Sequence, residues 1–258
     1  GIGIVTVRYQ MDPQGVVDTG DAIENPNAGT FESYRVTSGT NLVELAEPTC
    51  DGYKFTGWYT DYSAATGAYL GAKTSRVDTS VAYPDGLTLY ASWEKVVVTF
   101  EFRIDIDGLD QITEADKADL LEQVDGTVYR FKNGNIQVPY KEQLIYSERK
   151  NWDAAAYRLQ NYKIGGTSAN PVRPEVTYNG TEVSDGGNNP TRVTQAMVTA
   201  SSYGETPLVL MVKVGYMPKT VAVIFELGQP AGALLDTNVS AQNTMGTQRL
   251  YDLPINGT

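Results

Sequence analysis

The sequence predicts a mainly β, or α+β, protein with one clear helix. Runs of Thr, Val and Tyr, bounded by Gly, Asn, Asp and Pro, recur along the whole chain, which is typical of short strands and turns. Apolar and polar residues alternate within the clearest of these runs. The length of 258 residues is enough for two cores. We therefore expect two domains, 1–95 and 96–258, with a candidate sub-boundary near 167–174.

Strand signals dominate the first domain. Its predicted strands are VTVRY (5–9), FESYRV (31–36), GYKF (52–55) and LTLYASW (87–93). The residues that alternate on one side of the last strand are Leu87, Leu89, Ala91 and Trp93. Gly57 shifts the phase after Phe55, so that Trp58 arrives where simple alternation would not place it. We predict a β-bulge at this glycine.

The second domain is predicted to open with a half-buried antiparallel strand over 96–107. Its expected inward residues are Phe100, Phe102, Ile104 and Ile106, and its expected outward residues are Glu101, Arg103, Asp105 and Asp107. A helix over 113–124 follows, with Thr113 as its N-cap and Gly126 after its end. The helix should pack onto the inner face of that strand through Leu120, Leu121 and Val124.

Further strands are predicted in the rest of the chain. They cover 127–131, 136–140, 157–164, 174–180, 191–200, 208–214 and 221–227, and 152–159 is equally compatible with a short helix. We expect 221–227 to pair with 208–214. A weak echo between 5–20 and 221–238 leaves a second interpretation open, in which the tail begins another copy of the opening unit.

Composition excludes several classes of function. The chain has 20 basic and 31 acidic residues, and its net charge of −11 would repel nucleic acid and anionic membranes. There is no histidine, the commonest general base and metal ligand. The single cysteine, Cys50, rules out an internal disulfide and a thiolate zinc site. No apolar run is long enough to span a membrane, and no cofactor is expected.

One acidic stretch, DIDGLDQITEAD (105–116), raises the question of a calcium site. Asp105, Asp107 and Asp116 stand at the first, third and twelfth positions of a calcium loop. The sixth position, however, holds Asp110 where a glycine should make the turn. The first two acids are also explained as the exposed face of a strand, and Asp116 as an acid near a helix N-terminus. The structural interpretation is favoured.

The stretch from Pro48 to Trp93 resembles a known family. PTCDGYKFTGWYTD (48–61), followed by LTLYASW (87–93), is similar to the Listeria–Bacteroides repeat, also called the internalin-type B repeat. That family has a first strand like VTVRY, a second strand, a P-x-x-x-G-Y-x-F-x-G-W-Y-x-D block and a closing L-Y-A-x-W. Residues 5–94 contain these in order, although 10–30 and 62–86 are longer than the usual connections. Beyond residue 95, only 175–183 is faintly similar to the Ig-like modules of bacterial surface proteins.

The resemblance implies a compact β-grasp-like module in a secreted or cell-wall-attached bacterial surface protein. It therefore implies an extracellular, non-enzymatic fragment that acts as a spacer or adhesion element, with no catalytic residues. The expected partner is an unknown host or cell-wall protein or a glycan. The expected core anchors of the module are Tyr53, Phe55, Trp58, Leu89 and Trp93.

A rival hypothesis is a carbohydrate-binding module, or an accessory domain of a carbohydrate-active enzyme. Tyr59 and Tyr62 follow the phase shift and stand beside polar residues such as Thr60 and Asp61. The alternation that assigns the other aromatic residues to the core therefore does not assign these two residues to it. These two tyrosines are the candidate ligand-binding residues, and binding to a glycan array would favour this hypothesis over a pure spacer.

Overall fold

The computed structural model describes most of the chain. The described residues are 4–28, 33–35, 42–78, 80–105, 114–132, 134–145, 162–164, 175–184, 186–213, 216–218, 220–225 and 249–254. They confirm a mainly β fold, with two short helices. The predicted positions 106–107, 113 and 152–159 lie outside the described residues.

The chain forms two compact units, each assembled from separated segments. The first contains residues 1–100, 136–146 and 184–208, and the second contains 101–135, 147–183 and 209–258. Because each unit combines segments that are far apart in the sequence, the units do not correspond to two consecutive domains. The division into domains 1–95 and 96–258 stays a prediction. Below, residues 1–95 are called the N-terminal segment.

The described residues of the N-terminal segment form nine strands. They are β1 (Ile4–Gln10), β2 (Ile23–Glu24), β3 (Ser33–Arg35), β4 (Leu42–Glu44), β5 (Thr49–Cys50), β6 (Tyr53–Ser63), β7 (Ala68–Thr74), β8 (Arg76–Asp78) and β9 (Leu87–Lys95). The main sheet has the order β2-β5-β6-β9-β1-β3, with β7 also paired to β6, while β4 and β8 form a small separate pair. The first and last strands, β1 and β9, are parallel neighbours. This pairing supports the β-grasp-like arrangement, which stays a prediction at that level of detail.

The predicted β-bulge at Gly57 is confirmed. The register of β6 against β9 shifts between Phe55, which faces Trp93, and Gly57, which faces Ser92. Gly57 has a φ of 147°, a backbone conformation that side-chain-bearing residues rarely adopt. The extra residue brings Trp58 opposite Ala91 and therefore onto the buried face.

The described residues after Lys95 form eleven further strands and two helices. They are β10 (Val97–Asp105), α1 (Glu114–Leu120), β11 (Leu121–Asp125), β12 (Val128–Phe131), β13 (Ile136–Pro139), β14 (Tyr162–Ile164), β15 (Glu175–Tyr178), β16 (Thr181–Glu182), α2 (Gln195–Ala200), β17 (Leu208–Lys213), β18 (Tyr216–Pro218), β19 (Thr220–Phe225) and β20 (Arg249–Pro254). A second sheet has the order β11-β12-β10-β17-β15-β16, and β13 pairs with the first half of β10.

The register predicted for β10 is correct except at one acid. Phe100, Phe102 and Ile104 are buried, as expected, but Glu101 is buried as well instead of exposed. Its carboxylate lies 2.6 Å from Arg103 Nε and 3.6 Å from Arg130 of β12. Two guanidinium groups therefore compensate the buried charge, a pairing that alternation within one strand cannot reveal.

The predicted helix over 113–124 is too long. Helix α1 ends at Leu120, and the next five residues form β11, which pairs with β12. Val124, expected in the apolar stripe of the helix, is 37% exposed. A short helix is only marginally stable by itself, so the backbone partners offered by β12 decide the conformation of this segment.

A strand was expected over 191–200, but residues 195–200 form α2. Thr194 is its N-cap, and its hydroxyl accepts a hydrogen bond from the backbone N–H of Met197 at 3.3 Å. Met197 and Val198 are buried. The capping threonine and the helix-favouring Gln, Ala and Met that follow it are the sequence signal that could have identified this helix.

The predicted pairing of 221–227 with 208–214 is wrong. Strand β17 already has β10 and β15 on its two sides, so neither edge is free to pair with β19. Instead β19 pairs with β20, from Thr220 opposite Pro254 to Phe225 opposite Arg249. Residues 216–218, expected in a connection, form β18 and pair with β14.

The first prediction concerns the core beneath the bulge. Trp58 is 1% exposed and its ring lies 5.4 Å from that of Tyr9. Trp58→Ala should lower the free energy of unfolding by about 3–5 kcal/mol, because it leaves a large cavity. Urea denaturation measures the change, and Tyr203→Ala, at an exposed ring, serves as the control. Equal stability of the two variants would show that Trp58 is not a core residue.

Candidate functional site

The predicted core anchors meet on one face of the main sheet. Tyr53, Trp58, Leu89 and Trp93 are buried, with exposures of 3% or less. Phe55 contacts the rings of Trp58 and Trp93 at centroid distances of 5.3 and 5.5 Å. It is half-buried instead of buried, because it lines a cleft of about 380 Å³ beside the bulge.

The polar atoms of these aromatic residues attach neighbouring loops to the core. Trp93 Nε1 donates a hydrogen bond to the carbonyl of Met11 at 2.6 Å, and the Tyr53 hydroxyl accepts one from the N–H of Asp18 at 2.9 Å. Trp58 Nε1 lies 3.4 Å from the carbonyl of Ala46. Buried aromatic residues thus supply both apolar area and fixed hydrogen-bonding positions.

The loop after β1, residues 11–22, has a defined conformation. The carboxylate of Asp12 accepts hydrogen bonds from the backbone N–H groups of Val16 and Val17, both at 2.9 Å. This is the local side-chain-to-backbone pattern that stabilises turns. Together with Met11 and Asp18, these bonds hold the long loop against the core.

A contact region that we call the joint lies at the end of this core. It consists of Asp18, Asp21, Gly52, Lys95, Val96, Tyr140, Lys141 and Gln195, all within the first compact unit. The N–H of Val96 donates to the carbonyl of Gly52, and the N–H of Tyr140 donates to the carbonyl of Val96, each at 2.9 Å. Gln195 Oε1 accepts from the N–H of Gly52 at 2.6 Å. The joint therefore links the N-terminal segment to the segments 136–146 and 184–208.

Gly52 is the position of closest approach in the joint. Its φ is +80°, and a Cβ built there would lie 1.9 Å from the ring of Tyr140. Tyr140 is itself buried, and its ring centroid is 6.1 Å from that of Tyr53 in an edge-on arrangement. The glycine of the predicted aromatic block is thus required by both the backbone and the neighbouring ring.

Two ion pairs connect the acids of the 11–22 loop to the lysines of the joint. Lys95 Nζ lies 2.7 Å from Asp18 Oδ2, and Lys141 Nζ pairs with Asp21 Oδ1. The Lys95 ammonium holds the pKa of the Asp18 carboxyl below its usual range, with a further contribution from the Tyr53 hydroxyl. The Asp21 carboxylate raises the pKa of Lys141. Lys141 has a φ of +68°, unusual for a residue with a side chain, so the joint holds it in a strained conformation.

The opposite face of the sheet carries four half-buried tyrosines, which we call the tyrosine face: Tyr59, Tyr62, Tyr69 and Tyr90. Tyr59 lies directly opposite Tyr90 in the pairing of β6 with β9, and Tyr62 lies opposite Tyr69 in the pairing of β6 with β7. Both candidate ligand-binding residues are therefore on this face. Sequence reasoning missed Tyr69 and Tyr90. The alternation of β9 could have identified Tyr90, because Leu89 and Ala91 on either side of it are buried and its side chain must therefore lie on the other face of the strand.

Of the three calcium candidates, Asp105 and Asp116 lie in different described elements. Asp105 is exposed at the end of β10, and Asp116 is in α1. Position 107 lies outside the described residues. Within the part of the chain that the structure describes, no three His, Cys, Asp or Glu side chains form a group suited to a metal ion.

Two further features concern chemistry that the sequence raised. Burial raises the pKa of the Cys50 thiol to about 11, with contributions from nearby carboxylates, so this buried thiol stays protonated at neutral pH. In the second unit, a cleft of about 520 Å³ is lined by Glu101 and Glu122, and Arg130 pairs with both. Among the described residues, no helix is long and apolar enough to cross a membrane.

The second prediction tests the close approach at Gly52. Gly52→Ala should be destabilised by two effects, the cost of a positive φ and the overlap with the Tyr140 ring, the latter about 1–3 kcal/mol. Gly67→Ala is a matched control, because its φ is +69° and nothing lies within 4 Å of its Cβ position. Urea denaturation gives the loss of unfolding free energy in each variant, and the difference between the two losses measures the effect of the overlap with Tyr140. Equal losses of stability would contradict the contact with Tyr140.

The third prediction concerns pH. Because the folded pKa of Asp18 is lowered, its ion pair stabilises the protein fully above the ordinary value of 3.8 and ceases to do so as the pH falls through the lowered pKa. Asp18→Asn should therefore lower the thermal midpoint at pH 7, and the difference from the parent should shrink towards pH 3. Asp119→Asn, on an exposed side chain of α1, controls for the change in net charge. A difference that does not vary with pH would contradict the ion pair.

Comparison with known proteins agrees with the resemblance seen in the sequence. Residues 23–92 match the model of the Listeria-Bacteroides repeat domain. No curated protein and no solved structure matches the chain. The matched residues include the bulge, Gly52 and the tyrosine face. Residues 23–92 thus match the Listeria-Bacteroides repeat family, whose repeats occur in bacterial surface proteins.

Proposed function

We propose that this chain is a non-enzymatic structural part of a secreted or cell-wall-attached bacterial surface protein. In this proposal the N-terminal segment acts as a spacer or adhesion element whose orientation is fixed by the joint. The match to a repeat domain of surface proteins supports the class of protein. The joint is the observation that supports the mechanical role.

A flexible spacer would need a polar or glycine-rich linker after the repeat. Here a single residue, Val96, separates β9 from β10, and it is only 4% exposed. Both its N–H and its carbonyl are engaged in the joint. The chain therefore leaves the N-terminal segment through a buried, hydrogen-bonded residue, which restricts rotation at this point.

Contacts from later segments restrict the same point further. Gly204 lies close to β10, since a Cβ there would be 2.4 Å from the carbonyl oxygen of Val97. Lys54 and Glu205 form an exposed ion pair at 3.5 Å. Segments 140–145 and 191–193 are bonded to each other, for example between the Lys141 N–H and the Val193 carbonyl at 3.0 Å. These contacts favour a rigid element over a loosely tethered one.

The burial of the aromatic block supports a structural role for the motif itself. Trp58 and Trp93 are enclosed, and their indole N–H groups are used by backbone carbonyls of the same segment. Neither ring is available as a binding platform. A second candidate function, carbohydrate binding, is favoured only by the tyrosine face.

The fourth prediction tests the rigid joint by distance measurement. Spin labels at cysteines replacing Ala65 and Asn188, both exposed in turns of the first unit, should give one narrow distance distribution in a Cys50→Ala background. Gly52→Ala should broaden it, because the overlap with Tyr140 opens the joint. Gly67→Ala should leave it unchanged. A broad distribution in the parent protein would overturn the proposal.

A further inference from the structure

We propose that the tyrosine face binds a neutral polysaccharide, with sugar rings stacking on the accessible parts of the tyrosine rings. This binding site goes beyond the proposed structural role and does not depend on the joint. It is argued from the packing of the four rings, from their hydroxyl groups and from the charge of the surrounding surface.

The rings of the tyrosine face form one continuous layer. Tyr69 lies between Tyr59 and Tyr62, at centroid distances of 4.8 and 5.2 Å, and Tyr62 lies 5.9 Å from Tyr90. All four residues are half-buried, so part of each residue stays accessible to solvent. Rings held by each other lose little conformational freedom when a ligand binds, which lowers the entropic cost of binding.

Two of the rings are fixed at their hydroxyl ends and two are not. The Tyr62 hydroxyl donates to the carbonyl of Pro13 at 3.1 Å, and the Tyr69 hydroxyl donates to the carbonyl of Ala91 at 2.7 Å. Within the described part of the chain, the hydroxyls of Tyr59 and Tyr90 have no hydrogen-bond partner. The face therefore combines two anchored rings with two hydroxyls that are free to bond a ligand.

The surface next to these rings along β9 is rich in hydroxyl groups. Along β9, Thr88, Tyr90 and Ser92 alternate outward and each carries a hydroxyl, and exposed Glu94 follows on the same face near the end of the strand. The Ser92 hydroxyl is bonded to that of Thr56 at 2.7 Å. Aromatic rings beside hydroxyl groups match the two surfaces of a sugar, its C–H face and its ring of hydroxyls.

Charge decides between the classes of occupant. The chain carries a net charge of −11, and exposed Asp61 borders the face, so a polyanion would be repelled. Exposed Lys73 lies directly opposite Tyr59 in the pairing of β6 with β7, so a cationic peptide would meet a charge of its own sign beside the rings. A neutral glycan satisfies both conditions.

The fifth prediction is a test by affinity electrophoresis of the full chain. Native gels at pH 8 contain one of four uncharged polysaccharides: hydroxyethylcellulose, laminarin, mannan or dextran. The uncharged polymers do not migrate in the electric field, whereas the acidic protein does. Binding to a polymer therefore slows the protein relative to proteins that do not bind it. At least one polymer should retard the parent protein relative to a gel without polysaccharide.

Variants assign the binding to the face. Tyr59→Ala combined with Tyr90→Ala should weaken the apparent affinity about tenfold or more, as loss of central tyrosines commonly does. Tyr59→Phe combined with Tyr90→Phe keeps the rings and should weaken it less, by removing only the free hydroxyls. Tyr203→Ala, at an exposed tyrosine outside the face, should bind like the parent. None of these changes alters the net charge at pH 8.

Several outcomes would overturn the proposal. One is that none of the four polysaccharides slows the parent protein. Another is that both double variants are slowed as much as the parent, because binding would then not depend on Tyr59 and Tyr90. Preferential binding to an oligolysine peptide, measured by titration calorimetry, would assign the face to a cationic partner instead. Since the spin-label experiment reports only on the joint, failure here and failure of the structural role can be told apart.

Discussion

The extra residue at Gly57 is the constraint on which the N-terminal segment depends. Side chains of a strand alternate between two faces, so one inserted residue exchanges the faces of everything that follows it. The bulge lets Phe55 and Trp58, three positions apart, contribute to the same aromatic core. It also places Tyr59 on the opposite face, opposite Tyr90. The core and the position of Tyr59 are thus two results of this irregularity, and a second register shift of β6, between Tyr59 and Asp61 in its pairing with β7, brings Tyr62 beside the same rings.

Features encoded by local pattern could be predicted from the sequence. The alternation of β10 correctly places Phe100, Phe102 and Ile104 in the core, and the glycine in the aromatic block correctly predicts the bulge. The resemblance to the repeat family likewise rests on two short blocks, 48–61 and 87–93. In each of these cases, neighbouring residues contain the whole signal.

Features that depend on distant partners could not be predicted in the same way. The end of α1 is decided by pairing with β12, and the partner of β19 is decided by the occupation of both edges of β17. The joint combines Gly52 with Tyr140 and Gln195, which share no local pattern. Tyr59 and Tyr62 were identified because they escape the core pattern, but their ring partner Tyr69 required knowledge of how β7 pairs.

The separation between Gly52 and Gln195 has a consequence for the order in which the protein is made. The hydrogen bond between them spans 143 positions of the chain. At about 5–20 residues per second, the ribosome needs roughly 7–30 s to add that length. Until Gln195 is made, the backbone N–H of Gly52 lacks this partner, although Trp93 and Tyr140 are synthesised earlier. A nascent chain of this kind benefits from an early N-terminal core, because long-range contacts form slowly and leave unpaired edges open to aggregation.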